Sequence, residues 1–366
     1  MDLTGAASLE LRVSSLVLAR NQYNAAYLVT YEELRGCIML NRWFFAVLLL
    51  VALPANLAAQ EPYLVAYAGF AGFQAPVWAP KDLGLMAKYG FNGDVILVPG
   101  SVRQIQALQG GSIHFAQVDA ATAINAINQG ADLVMLSGSL NAFPYSFMAQ
   151  KEIRKPEDLV GKKIGILAVG GATETATILA LKAWNVPRQS VTIFPAGDPV
   201  GRIVALSTRA IDATVLSYPD INEAIRVGMH ALADMSEMKE ASFPMNVMAA
   251  RRSFVEKNRD TVKRLQQAYA EGTYEFINNK EKGLAVLAKR LRLKNPKGIE
   301  ETYQYFAKKF SFPTRVSQVG LRNTLELLSQ RTPGAKIDMN VNRYLDESTL
   351  DELEREGFFK RLAGKG

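Results

Sequence analysis

The chain has 366 residues, of which 49% are hydrophobic and 21% charged, and this composition is typical of a globular protein with one large core or two modest ones. The formal net charge of +7 is mild for this length, and the basic residues are scattered without interleaved aromatic side chains. These features argue against a nucleic-acid-binding protein and predict that the densest basic clusters are solvated helix faces.

A short apolar run near the N-terminus, WFFAVLLLVAL, directly follows Arg42 and precedes the small residues of PANLAAQ. A membrane-spanning helix needs about 20 apolar residues, and this run is much shorter. A positive charge, a short apolar run and small residues are the layout of a secretory signal peptide. We therefore predict a leader over residues 1–59, with a signal peptide over 39–59 that starts at Met39 and is cleaved near Ala59. A cytoplasmic tail before an uncleaved membrane anchor is the alternative.

Residues 1–38 would then be an extension upstream of the true start. Cys37, the only cysteine of the chain, is lost with them. The LRGC motif that contains it resembles a lipoprotein box, but it precedes the apolar run instead of following it, which argues against lipid anchoring. The mature protein would therefore have no disulfide, no thiolate nucleophile and no cysteine metal site.

From Tyr63 onward, short apolar runs alternate with helical stretches. The runs YLVAY, DVILV, IHFAQV and DLVMLSG predict strands, and APVWAPKDLGLMAKYG, VRQIQALQ and AATAINAINQG predict helices between them, the first of which ends at Gly90. The pattern resumes with a strand over 163–167, a helix over 173–184, the strand SVTIF, the helix VGRIVALS and the strand IDATVL. After Phe243 it changes to long amphipathic helices. Strands that alternate with helices in this way predict βαβ units with parallel sheets.

Two distant segments have nearly the same pattern. Val95–Val118 and Val191–Val215 each contain an apolar run, a proline, a Gly-containing turn, a helical stretch with the pattern I-x-A-L and a second apolar run. A solenoid would need more copies at a shorter period, so we predict that one α/β unit is used once in each of two lobes. Parallel sheets bind ligands beyond the carboxyl ends of their strands. Two facing lobes would therefore enclose a cleft lined by loops and helix N-termini.

The predicted cleft loops are rich in Gly, Ser, Thr and Asn. Gly100 with Ser101, and Gly170 and Gly171 with Thr173, each occupy a predicted strand-to-helix turn. Free backbone N–H groups and the helix dipole favour an anionic or strongly polar group at such turns. Ordinary glycine turns and helix caps are the alternative. The recurrence of these turns on the same side of both predicted sheets favours a binding cleft.

Several motifs together resemble a known family. WAPKDLGLMAKYGF, ALQGGSIHFAQV, PEDLVGKKIGI, ALSTRAIDATVLSYPD and LDELEREGFFKRL resemble the nitrate/sulfonate/taurine group of periplasmic substrate-binding proteins of ABC transporters, whose fold is shared by thiamine-pyrimidine-synthase-like proteins. The resemblance covers nearly all of the mature chain. It implies an α/β two-lobe clamshell in which each lobe is a mostly parallel sheet flanked by helices and two crossover strands form the hinge.

The resemblance also implies the lobe boundaries. Lobe one would comprise residues 61–143 plus 244–366, and lobe two residues 144–243, with YSFMAQK and FPMNVMAAR at the crossing points. A small-molecule ligand would be held between the lobes, and closure would present a surface to an ABC permease in the inner membrane. We expect a periplasmic monomer with no nucleic-acid partner.

The residues available for catalysis are few. The chain has two histidines, His114 and His230, and neither belongs to a metal-ligand pattern. The sequence contains no G-x-S-x-G, Walker or dinucleotide-binding motif, and it lacks the cysteine-rich metal segment of the pyrimidine-synthase relatives. We therefore predict no enzyme activity, no cofactor and no metal. Asp119 and Asp220 could form a carboxylate pair across the cleft, but helix capping or hydrogen bonding to a ligand is favoured.

The sequence thus predicts a periplasmic solute receptor that delivers a small organic or anionic solute to an ABC importer. The alternatives are an enzyme on the same fold acting on a pyrimidine-like or small carboxylate substrate, and a ligand sensor for a signalling receptor. The solute stays open, because helix N-termini favour an anion, aromatic residues a stacked ring, and carboxylates an amine or ring N–H. The predicted ligand-binding residues are Phe70, Phe73, Gln74, Ser101, Asp119, Thr122, Ser139, Asn141, Gly170, Gly171, Thr173, Tyr218 and Asp220.

Overall fold

The structure, a computed structural model, describes residues 62–238, 242–291, 293, 295–331 and 337–364. The predicted signal peptide and its cleavage site lie outside these residues. Within them, the strands form two five-stranded sheets. The strands are β1 Tyr63–Tyr67, β2 Gly93–Leu97, β3 Phe115–Val118, β4 Val134–Ala142, β5 Ser146–Ala149, β6 Lys163–Ile166, β7 Thr192–Pro195, β8 Ala213–Leu216, β9 His230–Asp234 and β10 Ser242–Ala250.

The two sheets have equivalent strand orders, β2-β1-β3-β10-β4 and β7-β6-β8-β5-β9. In the first, β1 pairs in parallel with β2 and β3, whereas β10 is antiparallel to β3 and β4. In the second, β6 pairs in parallel with β7 and β8, whereas β5 is antiparallel to β8 and β9. The antiparallel strand of each sheet is the one that arrives from the other sheet, since β5 follows β4 and β10 follows β9. We call the first sheet with its helices the first lobe and the second sheet with its helices the second lobe. The predicted α/β two-lobe fold is confirmed. The sheets are mixed and not mostly parallel, because the strand that crosses from the other lobe pairs antiparallel with both of its neighbours.

The repeated segments occupy equivalent places in the two sheets. Val95–Val118 runs from β2 to β3, and Val191–Val215 runs from the start of β7 to β8. Each segment therefore places one strand on either side of a central strand, β1 or β6. The two segments have similar apolar patterns because both fold into the same unit, in which a crossover helix packs against a sheet.

Helices cover both sheets and form the C-terminal part of the chain. The helices are α1 Ala75–Asp82, α2 Leu85–Lys88, α3 Ser101–Gln109, α4 Ala120–Asn128, α5 Ala172–Ala183, α6 Pro199–Ser207, α7 Asp220–Arg226, α8 Arg252–Lys257, α9 Arg259–Asn278, α10 Lys280–Leu291, α11 Pro296–Ala307, α12 Gln318–Arg331, α13 Ser348–Arg355 and α14 Phe358–Ala363. Among the residues described, no helix is long and apolar enough to cross a membrane.

The prediction of one helix ending at Gly90 is wrong in its extent. The segment forms two helices, α1 and α2, and Gly84 lies between them at a φ of 72°. This left-handed backbone conformation, which glycine adopts without steric cost, interrupts the helix. The break lets α1 stay in the core, where Trp78 is fully buried and the helix packs against α9.

The hydrophobic core is continuous through the first lobe and extends to the face of the second sheet that α5 covers. A smaller cluster lies under α6 and α7 in the second lobe and consists of Met148, Leu206, Ile211, Leu216, Ile221, Ala224 and Met229. The C-terminal helices α13 and α14 pack their apolar side chains against Ala270 of α9. The long helices after β10 therefore complete the first lobe, as the amphipathic pattern after Phe243 predicts.

Candidate functional site

The first strand-to-helix turn of the predicted cleft lies between β2 and α3. Gly100 has a φ of 78° and is followed by Ser101, the first residue of α3, which is buried. The Ser101 hydroxyl oxygen accepts a hydrogen bond from the backbone N–H of Asp119 at 3.2 Å. Ser101 therefore links the start of α3 to the start of α4.

Asp119 is the N-cap of α4 and is fully buried. One carboxylate oxygen accepts from the Thr122 backbone N–H at 2.9 Å, and the other accepts from the Thr122 hydroxyl at 2.7 Å. Burial raises the pKa of Asp119, while the hydrogen bonds from Thr122 and Ser101 act to lower it. The sequence-predicted residues Ser101, Asp119 and Thr122 thus form one polar network, in which Asp119 caps a helix.

This network of the first lobe meets the second lobe directly. The Thr122 hydroxyl oxygen lies 3.2 Å from the carbonyl oxygen of Gly170. A Cβ atom added to Gly100 would lie 3.2 Å from a side-chain carbon of Leu167, which follows β6. The helix starts of the first lobe are therefore brought against the turn before α5.

The turn before α5 holds its own shape through local hydrogen bonds. Gly170 has a φ of 78°, and its N–H donates to Glu174 at 2.7 Å. The hydroxyl oxygen of Thr173 accepts from the Leu167 backbone N–H at 2.9 Å. Gly171 is the N-cap of α5 at a φ of −94°, and an added Cβ there would lie 3.4 Å from the nearest atom, a carbonyl oxygen. The conformation of the turn therefore depends on glycine at position 170.

A cavity of about 520 Å³ lies beside the contact between the lobes. Thr122 and Gly170 line it together with Val169 and Leu328. The remaining lining residues come from α3, α4 and the residue after α4: Val102, Ile105, Gln106, Gln109, Asn125, Ala126 and Gln129. The volume lies within the range of small-molecule pockets.

Gln74 and Ser139 lie in a buried hydrogen-bond chain inside the first lobe. The Gln117 amide nitrogen donates to the Gln74 side-chain oxygen at 2.8 Å, and the Tyr269 hydroxyl donates to the Gln117 side-chain oxygen at 2.8 Å. The hydroxyl oxygens of Ser139 and Tyr269 are 2.7 Å apart, so Ser139 donates to Tyr269. These contacts join the N-terminal end of α1 to β3, β4 and α9.

Asn141 ties β4 to the segment after α11. Its amide nitrogen donates to the Ser311 hydroxyl at 3.1 Å and to the Arg315 carbonyl at 3.0 Å. Its side-chain oxygen accepts from the Ser317 backbone N–H at 2.8 Å. Both amide hydrogens thus have protein partners.

The predicted aromatic residues differ in their surroundings. Phe70 is half exposed, and its ring centroid lies 6.1 Å from that of Tyr67. Phe73 is buried against Tyr145 and Phe306. In the second lobe, Tyr218 lies against Tyr305 of α11 with the ring centroids 5.0 Å apart. The structure therefore does not bring the three predicted aromatic side chains together in one stack.

Two residues outside the predicted set, Tyr145 and Arg202, interact electrostatically with the predicted acidic residues. Burial raises the pKa of Tyr145, the negative charge of Asp119 raises it further, and Arg202 lowers it. Tyr145 is therefore close to charged groups of both lobes. Arg202 is 3% exposed and lies inside α6. The sequence repeat contains a signal that Arg202 is buried. Arg202 aligns with Gln104 of the first lobe, and Gln104 is also buried.

Asp220, by contrast, is the first residue of α7. Its carboxylate is not among the partners of Asp119, so the structure does not show the two as a hydrogen-bonded carboxylate pair. Burial raises the pKa of Asp220 to about 6, and the positive charge of Arg202 opposes this rise. Among the residues described, no group of three or more His, Cys, Asp and Glu side chains is arranged to hold a metal ion.

Two sheets of equivalent topology, joined by two crossings and meeting at their strand-to-helix turns, define the class of two-lobe solute-binding proteins. The sequence matches the NMT1/THI5-like family over residues 74–282, and the chain belongs to this family. The resemblance to ABC-transporter substrate-binding proteins is thereby confirmed.

Individual proteins agree with this assignment. A binding protein of Brucella suis biovar 1 (strain 1330) is 27% identical over 246 residues, which cover 66% of this chain and 74% of that protein. The taurine-binding periplasmic protein of Escherichia coli (strain K12) is 25% identical over 177 residues, covering 48% of this chain and 54% of that protein. The structure of the periplasmic aliphatic sulphonate binding protein of Escherichia coli matches with a TM-score of 0.64 and 18% identity, over 78% of this chain and 92% of that one.

Proposed function

We propose that this protein is a periplasmic solute receptor that encloses a small polar organic or anionic solute between its lobes and delivers it to an ABC permease. One observation carries the proposal. The helix starts of the first lobe and the turn before α5 in the second lobe meet, with the Thr122 hydroxyl oxygen 3.2 Å from the Gly170 carbonyl. The positive end of the helix dipole favours a negatively charged or strongly polar group at a helix start, and here helix starts of both lobes lie close together.

The proposed hinge lies at the two crossings between the sheets. The first lobe would comprise residues 61–143 plus 244–366, and the second residues 144–243. Residues 143 and 243 directly adjoin these boundaries, and their phenylalanine rings stack. A hinge needs only a few residues at element ends to absorb the change in backbone angles, and these crossings provide such ends.

The solute chemistry is proposed from the site and from the relatives. A sulfonate or a related anion fits the helix starts, and the positive charge of buried Arg202 adds to this preference. The names of the taurine-binding and sulphonate-binding relatives agree with an anion of this kind. Export through the predicted signal peptide, with cleavage near Ala59, would place the monomeric receptor in the periplasm.

The test combines native mass spectrometry with small-angle scattering. Protein purified without added solute is examined for a carried-over small molecule, which is released by denaturation, identified and added back to stripped protein. We expect rebinding with the solute chemically unchanged and a smaller radius of gyration, because closing a hinge compacts two lobes. A chemically altered solute would instead indicate an enzyme, and an unchanged radius at saturation would contradict the clamshell mechanism.

A further inference from the structure

The cavity beside the contact between the lobes is a groove between two helices of the first lobe. Its lining residues on these helices are Val102, Ile105, Gln106 and Gln109 of α3, and Thr122, Asn125, Ala126 and Gln129 of α4 and its C-cap. Both sets have the spacing i, i+3, i+4 and i+7, so each helix turns one continuous face toward the groove. Seven residues of helix rise about 10 Å, which sets the length of the groove.

The groove has an apolar floor and amide rims. Ile105 and Leu328 of α12 are buried in it, and Val102 and Ala126 are partly buried. The rims carry the four amide side chains of Gln106, Gln109, Asn125 and Gln129. None of the described residues that line the groove is charged, although charged residues make up 21% of the chain. The groove is therefore suited to an uncharged occupant.

The amides are not a requirement of the repeated α/β unit. In the second copy of the repeat, α6 has Val204 and Ser207 where α3 has Gln106 and Gln109. A helix face that only contacts water is commonly covered by charged residues, which are the types most often exposed. Uncharged groups that both donate and accept hydrogen bonds, placed around an apolar floor, are instead typical of a small-molecule site.

The second lobe closes one end of the groove. Val169 and Gly170 line it, and the Thr122 hydroxyl oxygen lies 3.2 Å from the Gly170 carbonyl oxygen. Beside α12, Lys182 of α5 donates to the side-chain oxygen of Gln330 at 2.8 Å. The side chain of Val169 is exposed and offers apolar surface at this end. The groove is therefore complete only while the two lobes are in contact.

The groove differs from the proposed solute site in both position and chemistry. Ser101, Asp119 and Arg202, which belong to the helix starts and the charged groups of that site, are not among the residues that line the groove. The groove extends away from the helix starts, as far as Gln109 at the end of α3 and Gln129 at the C-cap of α4. An occupant of the groove would thus not compete directly with a solute at the helix starts.

We propose that this groove is a second binding site, which takes an uncharged molecule with an apolar body and an amide or similar group that both donates and accepts hydrogen bonds. A carboxylate or ammonium group would lose its water there without meeting an opposite charge. Because the second lobe completes the site, the occupant binds the closed form more tightly and favours closure. By linkage it also strengthens solute binding, a consequence that rests on the proposed receptor function.

The experiment uses three probes of similar length on the full mature protein: hexanamide, hexanoate and hexylamine. Titrations are followed by NMR of isotope-labelled methyl groups of Ile, Leu and Val. We expect hexanamide to shift the methyl signals of Val102, Ile105, Val169 and Leu328, and to bind there at least about fivefold more tightly than either charged probe. Saturation with hexanamide should also reduce the radius of gyration of the solute-free protein.

Matched variants assign the binding to the two walls. Gln106→Leu removes one rim amide and should weaken hexanamide binding about threefold or more, whereas Gln318→Leu, at an exposed position of α12 outside the groove, should leave it unchanged. Val169→Ala should weaken it about threefold through lost apolar contact. Its control is Val160→Ala, because Val160 is similarly exposed in the second lobe but does not line the groove. Thermal melts check that each variant is folded.

Four results would overturn the inference in whole or in part. If hexanamide does not shift the four methyl signals, or if a charged probe binds there equally well, the proposed site or its chemistry is wrong. Equal affinities of Gln106→Leu and Gln318→Leu would exclude the rim amide, and equal affinities of Val169→Ala and Val160→Ala would exclude the second lobe. An unchanged radius of gyration at saturation would refute the coupling to closure. The receptor function is judged separately, by the carried-over solute and its own scattering measurement.

Discussion

Phe143 and Phe243 stack with their ring centroids 4.1 Å apart and an interplanar angle of 15°. Phe143 follows β4, where the chain leaves the first sheet, and Phe243 lies in β10, where the chain returns to it. Both side chains are buried. The stack therefore joins the two crossings, although the rest of the second lobe separates them in sequence.

Loss of this stack should loosen the hinge. We expect Phe143→Ala to lower the free energy of unfolding by about 3–5 kcal/mol, as is typical when a buried phenylalanine is truncated. It should also increase the radius of gyration of the solute-free protein, because the two crossing segments lose the ring contact that joins them. Phe276→Ala is the control, since Phe276 is equally buried but packs on Tyr303 and Phe310 within the first lobe, away from the crossings. Urea unfolding and scattering measure both variants, and an equal change of radius in the two would count against a hinge role for Phe143.

The contact between Thr122 and Gly170 should contribute to closure. Thr122→Val keeps the shape of the side chain but removes the hydroxyl that lies near Asp119 and the second lobe. We expect solute affinity to fall by about threefold to tenfold, which corresponds to one lost hydrogen bond of about 0.5–1.5 kcal/mol. The control is Thr177→Val, because the Thr177 hydroxyl donates to the Thr173 carbonyl of its own helix α5 and has no other partner among the described residues. Titration with the identified solute tests this, and similar affinities for the two variants would contradict it.

A second set of contacts between the lobes is made by α11 and the residue after its C-terminal cap. The Tyr305 hydroxyl lies 3.0 Å from a carboxylate oxygen of Asp234 and 3.2 Å from the Ser236 hydroxyl, and Lys309 pairs with Glu237. We expect Tyr305→Phe to shift the equilibrium toward open lobes and to weaken solute binding by about threefold to tenfold. Tyr303→Phe on the same helix is the control, since its hydroxyl bonds to Ile277 in the first lobe. If Tyr303→Phe weakens binding as much, the effect belongs to α11 and not to the contact with the second lobe.

His114 should make stability depend on pH. Its Nδ1 accepts from the Leu64 N–H at 3.0 Å, which requires an unprotonated Nδ1. Burial, and then the positive charge of Arg251, lower the pKa of His114 below its usual value of 6.5. Since the unfolded chain binds the proton more readily, the stabilising contribution is complete above about pH 6.5 and is lost as the pH falls toward the lowered pKa.

The second lobe suggests the variant that tests this prediction. Asp212 occupies the equivalent place, and its carboxylate accepts from the Lys163 N–H at 2.8 Å. His114→Asp should therefore keep an acceptor for the Leu64 N–H and remove the loss of stability between pH 6.5 and the lowered pKa. Urea unfolding over a pH series measures it, and a variant with an unchanged pH profile would show that other groups cause the dependence.

The sequence was sufficient to predict the two α/β units, because apolar runs of strand length alternate with helical stretches and the pattern occurs twice. It also predicted the strand-to-helix turns at which the two lobes are in contact. Glycine, serine and aspartate at such a junction indicate a left-handed turn or a helix cap. Ser101, Asp119 and Thr122 are therefore predictable from local chemistry. Gly84 could have been recognised as a helix break, but a continuous apolar pattern on either side of it favoured one helix.

Only the tertiary structure decided which polar residues lack partners. Ser139 and Asn141 are similar in type to Ser101 and Thr122, yet they bond to Tyr269, Ser311 and Arg315, which come from distant parts of the chain. Arg202 belongs to a predicted helix, and only the fold shows that its side chain is buried and interacts with Tyr145 and Asp220. The physical reason is that secondary structure follows from short-range periodicity and turn chemistry, while the burial and pairing of a polar side chain depend on segments that meet only when the two lobes form.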